Sequence, residues 1–128
     1  MIDQMPFAQL LGIKILEATP TRVVAELAVR EDLCTTNHIL HGGAIMAFAD
    51  SLGGLAAALN LSDAAATATI ESKTNFLAGV KAGDVARGVC EPVHVGRATS
   101  VWQTRISRGD GKLAAIVTQT QMTLASPA

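Results

Sequence analysis

The chain has 128 residues, of which 49% are hydrophobic and 16% charged, and its mean hydropathy is +0.35. This length is typical of one domain with a continuous core, so we expect a single domain over residues 1–128. Ten basic and eleven acidic residues leave a net charge of -1 without a basic run, which argues against binding to nucleic acid. The apolar surface in excess of one core indicates a subunit interface.

The cysteine content and the apolar segments indicate where in the cell the protein acts. Cys34 and Cys90 are too few for a disulfide framework, and no signal-peptide pattern precedes the first charged residues. We therefore expect a cytoplasmic protein. Residues 42–61 are about long enough to span a bilayer, but Asp50 lies near their middle and four glycines interrupt them. We expect no membrane association.

The first third of the chain predicts a short helix and a hairpin. Pro6 suits the first turn of a helix that Gly12 ends. Residues 13–17 and 22–29 are rich in Ile and Val and flank a turn signal at 19–21, which indicates a β-hairpin. A polar loop over residues 31–41 follows.

A long apolar helix is predicted from residue 42 to about residue 60. The segment consists of good helix formers without proline and is apolar on nearly every face, which is typical of a buried helix. Met46 and Phe48 are interpreted as core and subunit packing. Gly53 and Gly54 each cost about 1 kcal/mol in a helix, so we expect another group to approach this turn closely.

Four extended segments follow and predict an antiparallel meander. Alternation of apolar and polar residues, bounded by glycines, marks segments 66–77, 84–95, 98–108 and 113–124. A single buried helix needs cover, and only the sheet is available to provide it. The predicted fold class is α+β, with one long helix wrapped by a curved antiparallel sheet of about six strands.

The residues most suited to chemistry lie at the start of the predicted long helix and near its middle. A carboxylate such as Asp50 is costly on a buried helix unless it is paired or used, the alternative being a helix turn that reaches solvent. His41, Gly42 and Gly43 stand where a helix start exposes unpaired N–H groups and a positive dipole. Glycines there let a carbonyl approach those donors, although a flexible joint would have the same composition.

The spacing of Gly42 and Asp50 indicates a dimer. Eight residues separate them, which is about 12 Å along a helix. One carbonyl cannot contact both groups, so a shared substrate requires the donor from one subunit and the carboxylate from another. The sequence therefore predicts two sites at a dimer interface.

Residues 41–50, HGGAIMAFAD, resemble the signature of hotdog-fold thioesterases of the phenylacetic-acid-degradation (PaaI-like) type, within the 4-hydroxybenzoyl-CoA thioesterase superfamily. The resemblance covers almost the whole chain, including PFAQLLG at 6–12 and TNFL at 74–77. The segment VHVGR at 93–97 is similar to the branch that contains the proofreading thioesterase of enterobactin synthesis.

That resemblance implies the hotdog fold, homodimers that share one sheet, and a tetramer built as a dimer of dimers. It implies hydrolysis of an aryl- or medium-chain acyl thioester of coenzyme A, or of acyl carrier protein, to a free acid and a thiol. No cofactor is expected, because coenzyme A is part of the substrate. The acyl group is not readable from the sequence, since one methylene changes selectivity by only about 1–3 kcal/mol.

The resemblance also implies catalytic roles. The N–H of Gly42 polarises the thioester carbonyl and His41 helps to orient it. Asp50 acts as a general base on water or as a nucleophile that forms a mixed anhydride. The upstream Gln or Asn of many members falls on Thr35 here, so the nearby Asn37 is assigned instead.

Further positions are assigned to substrate binding. Gly54 stands where a hydroxyl is common in the family, and Thr69 matches a hydroxyl that holds water. Arg97 suits phosphate through its planar fork, although a solvated arginine on a hairpin would look the same. The remaining substrate-binding assignments are Gly43, Thr74, Asn75 and His94.

Other chemistries were weighed against hydrolysis. His38 and His41 are spaced i, i+3, but no third metal ligand accompanies them, so no metal is predicted. Nothing in the sequence activates Cys34 as a nucleophile. Within the fold the rival is an acyl-thioester hydratase or dehydratase, which needs a catalytic His paired with a carboxylate. A non-catalytic acyl-CoA-binding module is the rival from another class, and Asp50 argues against it.

Overall fold

The computed structural model describes residues 5–62 and 65–125. Two helices and six strands follow in the predicted order: α1 Pro6–Leu11, β1 Lys14–Thr19, β2 Arg22–Ala28, α2 Gly42–Ala58, β3 Ala66–Phe76, β4 Val85–Val95, β5 Thr99–Ser107 and β6 Leu113–Leu124. The predicted elements are thus confirmed within about two residues at each end.

The strand order corrects the predicted meander. The six antiparallel strands lie in the order β1-β2-β4-β5-β6-β3, so among the four strands predicted as a meander only β4, β5 and β6 are neighbours in chain order. Strand β3 pairs with β6 at the far edge, while β2 pairs with β4. The reason is that α2 separates β2 from β3 in the chain, and the sheet must extend on both sides of the helix to wrap it.

Helix α2 packs against the concave face of the sheet. Phe48, Leu52, Trp102 and Ile106 are fully buried between them, and each such side chain contributes roughly 1.5–3 kcal/mol by burial. A β-carbon on Gly88 would come within 2.7 Å of Leu52, so this glycine lets the helix lie close to β4.

One side of α2 is open, which corrects the prediction of a helix buried all round. The open side comprises residues spaced by three or four positions, here called the open stripe of α2: Gly43, Met46, Asp50, Gly54 and Ala58. Phe48 belongs to the core as predicted, whereas Met46 is exposed. The apolar composition of the helix therefore exceeds what the sheet of one chain covers.

The segment between β2 and α2 is more ordered than the predicted loop. A short 3₁₀ helix covers Glu31–Leu33, and backbone bridges join Cys34 to Leu40 and Ile39 to Lys81. The N–H of His41 donates to the carbonyl of Leu33 at 2.9 Å. These contacts fix the residue that begins α2.

Helix α1 is held by a contact from the end of β2. Gly12 ends it in the left-handed region at φ 82°, as the sequence predicted. The Arg30 guanidinium donates to the carbonyls of Leu11 at 2.8 Å and Leu10 at 3.1 Å, the unpaired acceptors of the last turn. Within residues 5–62 and 65–125, neither helix combines the length and the apolar character needed to cross a bilayer.

Candidate active site

The start of α2 has one backbone donor in use and one free. His41 is the N-cap residue, and its Nδ1 accepts a hydrogen bond from the N–H of Gly43 at 2.8 Å. This bond requires the proton of the neutral imidazole to be on Nε2. The N–H of Gly42, the first residue of the helix, has no acceptor among the described residues. It is therefore available to a ligand, as the sequence predicted.

A cleft of about 380 Å³ opens beside Gly42. The ring of Phe76 lies so close that a β-carbon on Gly42 would be 3.2 Å from its Cε1 and Cζ atoms. Thr35 lines this cleft, whereas Asn37 is exposed and does not line it. Thr35, on which the upstream Gln or Asn of the family pattern falls, is thus the residue beside the free N–H of Gly42, and its side chain is a hydroxyl.

Asp50 lies in the middle of the open stripe of α2 and is exposed in the single chain. Its Oδ1 atom accepts a hydrogen bond from the hydroxyl of Thr69 at 2.9 Å and one from Nε2 of Gln119 at 3.3 Å. The expected cost of a buried carboxylate therefore does not arise in one chain. Thr69, whose hydroxyl was predicted to hold water, contacts this carboxylate directly, and its role in substrate binding stays a prediction.

A groove of about 620 Å³ begins at Asp50 and follows the second half of α2. Its lining is largely apolar or small: Met5, Gly54, Leu55, Ala58, Leu61, Ala65 and Ala66, with Thr67, Thr69, Gln121 and Ser62 as polar members. A β-carbon on Gly54 would have no neighbour within 4 Å. The position where a hydroxyl is common in the family is therefore open space here. The groove is an apolar cavity with a carboxylate at one end.

Gly42 and Asp50 line different cavities of the single chain. Their separation along the helix axis is about 12 Å, as the sequence indicated. The chain alone thus presents a free backbone donor and a carboxylate in two separate cavities.

The polar partners of Asp50 on β6 were missed in the sequence. Gln119 and Gln121 are both buried, and Nε2 of Gln119 donates to Oε1 of Gln121 at 3.0 Å. A signal was present, because Ala115, Val117, Gln119 and Gln121 share one face of a strand, and the first two mark that face as the core face. Their link to Asp50 depends on packing between β6 and α2, which no local pattern reports.

The other assigned residues are not gathered around Asp50 by the single chain. Gly43 is exposed and lines a smaller cleft of about 240 Å³ with His41 and Phe7. On the edge strand β3, the Thr74 hydroxyl is buried without a partner among the described residues, and Asn75 accepts from Lys73 Nζ at 3.4 Å.

His94 and Arg97 are exposed at the hairpin between β4 and β5. Nε2 of His94 lies 2.9 Å from where a β-carbon of Gly96 would be, so its imidazole folds back over this turn. Their roles in substrate binding stay predictions.

Cys34, the alternative nucleophile, and His38, the alternative metal ligand, both lie close to acidic side chains. Burial raises the pKa of the Cys34 thiol, and Glu31 and Asp32 raise it further, which disfavours the reactive thiolate. The hydrogen bond that Nδ1 of His38 donates to Oε2 of Glu31, at 3.0 Å, raises the pKa of His38. In the described part of the chain, no three His, Cys, Asp or Glu side chains are grouped to hold a metal ion.

Comparison with known proteins identifies the family. A family model described as the thioesterase superfamily matches residues 37–115. The 1,4-dihydroxy-2-naphthoyl-CoA hydrolase of Listeria monocytogenes is 29% identical over 112 residues, which are 88% of this chain and 90% of that protein.

Two solved structures have the same fold. A variant of thioesterase PA1618 from Pseudomonas aeruginosa is 29% identical with a TM-score of 0.88, covering 98% of this chain and 94% of that one. A hypothetical thioesterase of Streptococcus pneumoniae, solved with coenzyme A, is 26% identical with a TM-score of 0.82, covering 91% and 88%. The predictions of a hotdog fold and of a thioester hydrolase are confirmed. The chain belongs to the thioesterase superfamily.

Proposed function

We propose that this enzyme hydrolyses acyl-CoA thioesters at two sites formed between the subunits of a homodimer. The observation that carries the proposal is the pair of half-sites on α2, namely the free N–H of Gly42 and the exposed carboxylate of Asp50. Coenzyme A as the thiol is supported by two similar proteins, one named a CoA-thioester hydrolase and one solved with coenzyme A.

The dimer is supported by two surfaces of the chain. The open stripe of α2 leaves Met46 exposed, and β3 pairs with β6 on one side only within the described residues. Edge strands present unpaired backbone groups, and pairing of β3 with a second copy of β3 would extend the sheet while bringing the two stripes together. Gly42 of one subunit would then face Asp50 of the other. We propose that two such dimers assemble into a tetramer.

In this mechanism the N–H of Gly42 and the positive helix end polarise the thioester carbonyl. Oδ1 of Asp50 is engaged by Thr69 and Gln119, which leaves Oδ2 to take a proton from water. The hydroxide attacks the carbonyl carbon, the oxyanion forms at the N–H of Gly42, and the C–S bond breaks. Coenzyme A leaves as a thiolate that takes up a proton, and the acid is released.

A nucleophilic Asp50 is the alternative role. Water would then attack a mixed anhydride instead of the thioester. One turnover in ¹⁸O-labelled water with excess enzyme tests for this route, because attack of water on the Asp50 carboxyl of the anhydride places the label in the enzyme, whereas direct attack on the thioester leaves the enzyme unlabelled. We expect the enzyme to stay unlabelled in that first turnover.

The apolar groove beside Asp50 is proposed to hold the acyl group, whether aryl or medium-chain. Leu55, Ala58 and Leu61 give it apolar walls, and the carboxylate of Asp50 lies at one end. We propose that neither a metal nor an organic cofactor is needed, since Gly42 and Asp50 supply the carbonyl polarisation and the base. The soluble chain is proposed to act in the cytoplasm.

The test is a hydrolysis screen of wild-type protein and Asp50→Asn over aryl- and medium-chain acyl-CoA substrates, with acyl carrier protein thioesters in parallel. We expect hydrolysis by the wild type and a loss of at least about 1,000-fold in Asp50→Asn, at unchanged thermal stability. Full activity in the variant, or binding without turnover by the wild type, would refute the proposal. Addition of water to an enoyl thioester with the thioester intact would instead indicate a hydratase.

A further inference from the structure

A closed group of hydrogen bonds lies behind the carboxylate of Asp50. Gln119 is fully buried, and its Nε2 donates to Oδ1 of Asp50 at 3.3 Å and to Oε1 of Gln121 at 3.0 Å. Gln121 in turn donates from Nε2 to the hydroxyl of Thr67 at 3.0 Å. Both hydrogens of the Gln119 amide nitrogen are therefore engaged, and they fix its orientation.

The hydroxyl of Thr69 cannot replace Gln119 as the constant partner of Asp50. Its Oγ1 lies 2.9 Å from Oδ1 of Asp50 and 2.5 Å from Oε1 of Gln121. One hydroxyl carries one hydrogen, so Thr69 donates to one of these acceptors at a time. Gln119 serves both acceptors at once, which makes it the donor that Oδ1 keeps whichever way Thr69 turns.

Gly53 explains how a glutamine fits beneath the helix. A β-carbon on Gly53 would overlap the amide carbon and oxygen of Gln119, whereas one on Gly54 would have open space around it. The two helical glycines thus have different surroundings. The sequence predicted a close approach at this turn, and the structure confirms it for Gly53 and not for Gly54.

Packing alone does not account for Gln119. Its Oε1 atom is buried and has no partner among the described residues, which makes the amide costly to bury. An apolar side chain of similar size, such as methionine, would fill the same space without that cost. The contact with Asp50 supplies a reason for an amide here.

We propose that Gln119 is a positioning residue for hydrolysis, and that Gly53 lacks a side chain so that Gln119 can reach Asp50. The amide holds Oδ1 by a hydrogen bond, which leaves Oδ2 directed at water. This inference rests on the proposed function of Asp50.

The experiment compares Gln119→Met with Gln103→Met in steady-state hydrolysis of an acyl-CoA that the wild type accepts. Gln103 is the same residue type on the neighbouring strand, where its amide donates to Thr118 at 3.4 Å and is remote from Asp50. We expect kcat to fall about 10- to 100-fold in Gln119→Met with KM nearly unchanged, since a hydrogen bond to a charged group is lost.

Gln119→Glu keeps the shape of the side chain and guards against a folding defect. A protonated Glu side chain at this position still donates to Asp50, whereas the ionised form repels it. We expect this variant to gain an alkaline limb, with activity recovered at lower pH. A residue with only a structural role would not produce that limb.

Gly53 is tested by a double-mutant cycle. Gly53→Ala should lower kcat by displacing the Gln119 amide, and Gly53→Ala combined with Gln119→Met should be no worse than Gln119→Met alone. Additive losses would overturn the proposed role of Gly53. Wild-type kcat in Gln119→Met would overturn the role of Gln119, provided Asp50→Asn is inactive. An active Asp50→Asn would overturn the proposed function and this inference together.

Discussion

The imidazole Nδ1 of His41 accepts the N–H of Gly43 at 2.8 Å, and this bond divides the first turn of α2 between two tasks. The side chain of the N-cap residue satisfies the second donor of the helix and leaves the first donor, the N–H of Gly42, open. Gly42 and not Gly43 is therefore the donor that a substrate carbonyl can use.

Gly42→Pro should remove this donor while keeping the helix. Proline is tolerated at the first helical position, and the extended backbone of His41, with ψ 137°, suits a residue before proline. We expect kcat/KM for acyl-CoA hydrolysis to fall about 100- to 1,000-fold. Gly42→Ala is the control, since it keeps the N–H and adds a methyl group in similar contact with Phe76. Equal losses in the two variants would speak for crowding rather than a lost donor.

Mixing Asp50→Asn with Gly42→Pro should restore activity if the sites are shared between subunits. Each mixed dimer then has one site with both groups intact, so random exchange should recover about a quarter of wild-type activity. Mass spectrometry of differently tagged subunits verifies the exchange. An inactive mixture after complete exchange would place Gly42 and Asp50 of each site in one chain.

Arg97→Gln should weaken the binding of coenzyme A and not the chemistry. If the guanidinium of this exposed hairpin residue pairs with phosphate, KM for acyl-CoA should rise about tenfold, since a charge-assisted hydrogen bond is lost. Hydrolysis of the matching acyl-pantetheine, which lacks the nucleotide phosphates, should be unchanged. Parallel changes with both substrates would argue against a phosphate contact.

Gly12→Ala should destabilise the fold more than Gly111→Ala. Both glycines have φ near +85°, where an L side chain is strained, but only at Gly12 would a β-carbon approach Arg30 Nη1, at 2.9 Å. We expect a loss of about 1–2 kcal/mol in the free energy of unfolding for Gly12→Ala, and about 1 kcal/mol for Gly111→Ala, measured in urea. Equal losses would mean that Arg30 moves aside without cost.

The two thiols should differ in reactivity. Burial raises the pKa of Cys90 to about 11, and its side chain is inaccessible, whereas Cys34 is half-buried. At pH 8 we expect iodoacetamide to modify Cys34 slowly and Cys90 only on unfolding, as followed by mass spectrometry. Rapid labelling of Cys90 in the native protein would show that the β4 region opens locally. Cys34→Ser is the suitable background when thiol reagents report coenzyme A release.

Local patterns predicted the elements well, because their signals lie within each segment. Gly12 ends α1 by its backbone conformation, and the alternation in β5 reports one packed face. The place of β3 beside β6 was not predictable in this way, since strand order is set by contacts between segments that are distant in sequence.

The candidate site was predictable to a similar extent. Gly42 and Asp50 lie where the helix pattern and the family resemblance placed them, whereas the contact of Thr69 with Asp50 was not predicted. Gln119 required the three-dimensional packing of β6 against α2. The exposure of Asp50 follows from the open stripe of α2, which the described residues of the chain leave uncovered.

Strand β3 carries backbone donors and acceptors along eleven residues that meet no further strand in the described part of the chain. If a second copy covers this edge as proposed, it binds the folded chain and not the unfolded one, so the free energy of unfolding should increase with protein concentration. Dilution would then destabilise this enzyme, and the unpaired edge of a single subunit would be open to pairing with strands of other molecules. Assays at very low enzyme concentration would therefore report assembly as well as catalysis.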